Sequence, residues 1–131
     1  MLASTSRLSG FHHVKLPVSD VARSRDWWLR VLGFAVDIEF AEDGVLMGVG
    51  LADAAGSTGI ALRHDPARAA ALAGFDAIAL RVPTRAEIDD WRVRLDTLGE
   101  PHGGVVTGHR GGSVLVGLHT PDGTEIRLYA D

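Results

Sequence analysis

The segment FHHVKLPVSDVARSRDWWLRVLGF, beginning at Phe11, returns without a gap as FDAIALRVPTRAEIDDWRVRLDTL, beginning at Phe75. Across this 64-residue spacing, Phe11/Phe75, Leu16/Leu80, Val18/Val82, Ala22/Ala86, Asp26/Asp90, Trp27/Trp91 and Arg30/Arg94 coincide. Val14/Ile78, Leu29/Val93 and Val31/Leu95 match in kind. A fixed-period match of this sort constrains the chain to two copies of one supersecondary unit. Each copy needs a partner to bury its apolar face, and paired half-domains commonly leave a cleft between them. That cleft is the expected ligand site.

Within the first copy, Phe11–Val18 alternates, with Val14, Leu16 and Val18 on one side and His13, Lys15 and Pro17 on the other. This period of two predicts a strand with one buried face. Ser19-Asp20 offers an N-cap to a helix over VARSRDWWLRVLGF, and Gly33 a C-cap. Strands are expected at Phe34–Phe40, Val45–Leu51 and Gly59–His64, with Asp43-Gly44 turning the first into the second. The alanine-rich run Asp65–Gly74 reads as a short linking helix or loop. In the second copy, Phe75–Val82 is a strand, and Pro83-Thr84 opens a helix through Leu98 with Trp91, Leu95 and Leu98 facing inward. Gly103–Arg110, Ser113–His119 and Thr124–Ala130 complete it, joined by Gly111-Gly112 and the turn Thr120-Pro-Asp-Gly123. Each copy is therefore strand, helix, strand, strand, strand. The fold class is α+β, two tandem βαβββ modules: residues 11–64, a linker over 65–74, and residues 75–131, after a short N-terminal tail over 1–10. Trp27 and Trp91, at equivalent helix positions, are assigned to the core, and Trp28 to the helix flank.

A chain of 131 residues with 46% hydrophobic and 23% charged residues is one ordinary globular domain. Its net charge of −4 argues against a nucleic-acid binder. The absence of cysteine excludes disulfides, thiolate catalysis and cysteine-ligated metal. The start MLASTSRLSG has no apolar signal-like run, and no stretch reaches the length of a membrane span, so a cytoplasmic location is expected. GVGLADAAG is glycine-rich, but no strand-to-helix transition frames it, so it does not read as a phosphate loop.

HHVKLPVSDVARSRDWWLRVLGF, its echo after Phe75, and the closing TPDGTEIRLY together resemble the vicinal oxygen chelate superfamily. That superfamily includes glyoxalase I, extradiol dioxygenases, fosfomycin-resistance transferases and bleomycin-resistance proteins. The resemblance spans Phe11–Tyr129. It implies two modules whose sheets curl into a concave cleft, usually within a homodimer. It also implies one divalent metal ion held by His, Glu or Gln side chains from the first and last strand of each module. Carried over, these positions fall at His13, Ala61, Ala77 and Arg127. Only His13 is a donor. A divalent ion needs three or four converging donors, and a guanidinium stays charged and repels it. The expectation is therefore a protein with no metal cofactor. The alternative is a metal site rebuilt around His13 and Glu125, with His64 or His119 swinging in.

The alternation gives a separate reading of the cleft. Val14/Leu16, Ile60/Leu62, Ile78/Leu80 and Ile126/Leu128 form the faces that pack on helices. The opposite faces carry His13, Lys15, Arg63, Ala77, Ala79, Arg81, Glu125, Arg127 and Tyr129. A cleft lined by cations focuses potential on an anionic ligand. The expected partner is thus a small organic anion, bound by His13, Lys15, Arg63, Glu125, Arg127 and Tyr129, with Arg127 forking onto an acid group. The duller alternative pairs Arg127 with Glu125. Candidate catalytic groups are His13, as an acid or base, and Tyr129, through its hydroxyl. Three function classes follow: a metal-independent binding protein, a metal-dependent lyase, isomerase or dioxygenase, and a cofactor-free isomerase. A cationic cleft disfavours a cationic drug such as bleomycin.

Overall fold

The computed structural model describes residues 5–131. The first four positions of the expected tail lie outside the described residues. Thr5–Gly10 is exposed and carries no strand. The elements are β1 (Val14–Val18), α1 (Val21–Leu32), β2 (Ala35–Glu42), β3 (Val45–Ala52), β4 (Gly59–His64), α2 (Pro66–Leu72), β5 (Asp76–Arg81), α3 (Arg85–Leu98), β6 (Val105–Thr107), β7 (Ser113–His119) and β8 (Glu125–Ala130). They form two four-stranded sheets, ordered β1-β4-β3-β2 and β5-β8-β7-β6. In each, the first strand runs parallel to the last and the remaining pairs are antiparallel. The duplicated topology is two βαβββ modules, and the alanine-rich linker is the helix α2. No helix among the described residues is long and apolar enough to cross a membrane.

Local chemistry explains the element boundaries. The Asp20 side chain accepts from the Arg23 N–H, capping α1, and Gly33 ends the helix at φ 73°, a left-handed conformation that costs glycine little. Thr84 caps α3 in the same way, accepting from the Glu87 N–H. Asp43 and Gly44 both take positive φ, 51° and 77°, which makes the primed turn a tight hairpin requires.

Three expectations are corrected. Residues 11–13 precede β1 rather than joining it, and Phe11 is exposed. The strand expected at Gly103–Arg110 shrinks to Val105–Thr107, because Gly104 bends the chain at φ 85° before it and Gly111 turns it at φ 91° after it. Leu98, expected inside, is 38% exposed at the end of α3.

Trp27 lies in the core as expected, while Trp28 and Trp91 exchange their expected places. Trp28 is completely buried, Trp27 is buried, and Trp91 is only half-buried. The buried stripe of α1 runs Val21, Ser24, Trp28, Val31, a helical spacing that puts Trp28 at its centre. Small Ser24 leaves room for the indole, which meets Phe34 edge-on at 5.0 Å. In α3 the equivalent of Ser24 is the fully buried Ile88, and the equivalent of Trp28 is Arg92. A single cluster joins both halves, running from Leu16, Trp28 and Leu62 to Ile88, Leu95 and Leu128.

Candidate functional site

Strand register builds the open face of the first sheet, the face turned away from the helices. One row across it reads Lys15, Ala61, Gly50, Ile38. The next reads Pro17, Arg63, Gly48, Phe40. Leu16, Leu62 and Val49, in the row between, point the other way and are buried. Small residues therefore occupy the centre of the open face. Lys15 and Arg63 flank them on one side, and Ile38 and Phe40 on the other.

The flanking apolar side chains lean over the glycines. A Cβ at Gly50 would meet Ile38 Cγ2 at 2.9 Å, and one at Gly48 would lie 3.7 Å from Phe40. An irregularity between Val36 and Ile38 leaves Asp37 without a partner in the register. The result is a pocket of about 760 Å³ with a floor that includes Gly50, Ala52, Gly59 and Ala61. Ile38, Phe40 and Asp37 line one side, and His12, His13 and Lys15 the other. Ser9–Phe11 and Gly56–Thr58 close its upper edge. The Asp53 side chain holds the second of these loops, accepting from the N–H groups of Ser57 and Thr58 and from the Ser57 hydroxyl at 2.7–3.0 Å. Partial burial pushes the Asp53 carboxyl upward, but these hydrogen bonds outweigh it and hold it below its usual value.

His13 stands just before β1 with its Nδ1 2.8 Å from that of His12. One ring must donate and the other accept, so the two tautomers are linked. Lys15 and Arg63 are exposed and make no ion pair among the described residues.

The remaining expected residues lie on the second sheet. Ala77 sits at an irregularity in β5, between Asp76, opposite Glu125, and Ile78, opposite Ile126. Arg127 lies opposite Ala79, and Tyr129 opposite Arg81. The Arg127 Nε is 2.7 Å from Glu125 Oε2, and its Nη1 is 3.4 Å from Asp76 Oδ2. Glu125 also accepts from the Gly117 N–H at 3.0 Å. The guanidinium, and then that N–H, hold the Glu125 carboxyl below its usual range, while Glu125 raises Arg127 further still. Arg81 is engaged too, 2.6 Å from Asp131. The cation-rich face thus resolves into a clamped set, Arg127 and Arg81, and an unengaged pair, Lys15 and Arg63. Asp76 completes the clamped set, and His12 and Asp37 line the pocket that Lys15 lines; none of the three is among the site residues expected from the sequence. The period-two pattern hid Asp76, placing it on the helix-packing side with Ile78; the irregularity between them brings it level with Glu125.

As a metal centre the donor set fits poorly. The four carried-over positions hold His13, Ala61, Ala77 and Arg127. Glu125, the substitute carboxylate, already serves Arg127 and Gly117. Among the described residues no three His, Asp or Glu side chains converge as an ion requires.

A family model for the Glyoxalase/Bleomycin resistance protein/Dioxygenase superfamily matches residues 10–128. The chain belongs to this superfamily. No curated protein matches it at a significant level. Among solved structures it is similar to a glyoxylase/bleomycin resistance protein/dioxygenase domain from Frankia sp. EAN1pec, with 21% identity, a TM-score of 0.73, and 95% of this chain and 93% of that one covered. It is similar to a lactoylglutathione lyase from Agrobacterium tumefaciens, with 16% identity, a TM-score of 0.74, and 95% and 96% covered. It is similar also to the fosfomycin resistance protein FosX from Listeria monocytogenes, with 17% identity, a TM-score of 0.71, and 95% of each chain covered. At these identities the likeness is one of glyoxalase-type fold, and the chemistry has to come from the residues of this chain.

Proposed function

We propose that this member of the glyoxalase superfamily binds a small organic anion on the open face of its sheets without a resident metal ion. The observation that carries this reading is the state of Arg127. A fixed cation, clamped between Glu125 and Asp76, stands at the position where the family resemblance calls for a carboxylate ligand. A divalent ion brought there would meet a guanidinium and a carboxylate already spent on it. Lys15 and Arg63, by contrast, carry positive charge that no described carboxylate neutralises. His12 and His13 add imidazole hydrogen-bonding groups at the pocket that Lys15 lines, and Arg63 stands in the next row of the same open face. In this reading Lys15 and Arg63 attract the acid group, and His13 donates to it or shuttles a proton. Glu125, Arg127 and Tyr129 form a fixed polar wall on the second module, and Tyr129 offers its hydroxyl. A homodimer, which the family resemblance implies, is part of the proposal.

The test is metal content together with ligand binding. Untagged protein grown with added iron, manganese, nickel, cobalt and zinc is expected to contain far less than one metal ion per chain by elemental analysis. Small organic acids are expected to raise its melting temperature, and Lys15→Gln to weaken that binding about tenfold, the loss of one charge-assisted hydrogen bond. Stoichiometric metal that disappears in His13→Ala overturns the reading and turns the search to metal-dependent chemistry.

A further inference from the structure

The pocket on module one is more specific than a general anion site. Its floor is largely backbone and methyl groups, because Ala61 and Gly50 hold the central positions of the open-face row that lines it. Its walls carry aromatic rings that the protein does not cover. Phe40 is 55% exposed and Phe11 is 92% exposed, and both line this one pocket. Two phenylalanine rings left in water around one cavity are a cost to folding without an occupant. The backbones of Lys15 on β1 and Ile38 on β2 stand three strand spacings apart, about 14 Å, and Ile38 leans back over Gly50 to close one end of the trough. A flat aromatic body stacks against phenylalanine rings over a larger area than a branched or puckered one does.

We propose that the occupant is a planar aromatic acid lying over Ala61, its ring against Phe40 and its acid group at Lys15. Phe11 covers the outer face of the ring, the chain pivoting at Gly10, whose φ of 102° only glycine adopts readily. Asp37, on the opposite wall of the same pocket, repels the acid group and so orients it toward Lys15. Module two offers no matching trough. The residue opposite Ala79, where module one has Ala61 opposite Lys15, is the large, clamped Arg127. One planar ligand per pair of modules follows. This inference rests on the small-anion reading above and narrows it to one module and one shape.

The test compares 2-naphthoate with decahydro-2-naphthoate, equal in charge and carbon skeleton and different in planarity, by titration calorimetry on the full chain. The planar acid is expected to bind about tenfold more tightly, an aromatic contact adding to the area buried. Ala61→Leu, which fills the trough at a half-buried position on the open face, is expected to abolish 2-naphthoate binding. Phe40→Leu, on the exposed edge strand, is expected to weaken it about fivefold. Melting temperatures near that of the parent show that both variants fold. Should Ala61→Leu fail to fold, Phe40→Leu decides alone. Equal binding of the two acids, or unchanged binding in the decisive variant, overturns the planar-ligand inference and leaves the anion reading standing. Binding of no small acid at all overturns both.

Discussion

Arg127 shows how far a residue's role depends on its neighbours. Its sequence position opposes a metal, and its alternation assigns it to the open face, both legible without coordinates. That it holds Asp76 as well as Glu125 depends on β5 lying beside β8, which no local pattern states. The Glu125 carboxyl is lowered in the folded protein, so its contribution is present above the ordinary glutamate range and is lost as pH falls through the depressed folded value. Glu125→Gln is expected to cost about 1–2 kcal/mol at neutral pH. Urea unfolding of parent and variant across the acid range should show that difference shrinking below about pH 4. A constant difference would mean that the carboxylate charge is not what Arg127 uses.

At the scale of the element, α1 and α3 are echoes in sequence and unequal in burial. Matching Trp27 to Trp91 led to the expectation that these two anchor the helices, whereas the stripe Val21, Ser24, Trp28, Val31 buries Trp28. The helical period contained that answer. The repeat register concealed it, because Arg92 stands where Trp28 does and Ile88 where Ser24 does. Module one fills this part of its core with Trp28 beside the small Ser24 and module two with Ile88, so the modules reach the same fold by different packing. Trp28→Ala is therefore expected to cost about 3–5 kcal/mol, and Trp91→Ala distinctly less, by chemical denaturation. Equal losses would show that the repeat, not the burial stripe, ranks these residues.

Over the whole molecule, contacts between the helices join the modules. The Trp27 Nε1–H donates to Glu100 at 2.8 Å, Arg30 pairs with the same carboxylate at 3.2 Å, and Arg94 donates to the carbonyls of Val31 and Arg30. With one apolar cluster shared across them, the modules are expected to unfold in a single transition. Glu100→Ala should lower stability by about 1–3 kcal/mol, since it leaves the buried indole N–H unpaired. Two resolved transitions in calorimetry would instead mark the modules as independent. The sequence by itself determined the duplication, the α+β class, most element boundaries and which face of each strand is apolar, because these follow from local periodicity, caps and turn residues. Tertiary structure alone decided which open-face cations are engaged and which are not. It also decided that Gly50 and Ala61 stand side by side in one open-face row. Both depend on register between strands distant in the chain, and register is set by the packing of the whole sheet rather than by any one segment.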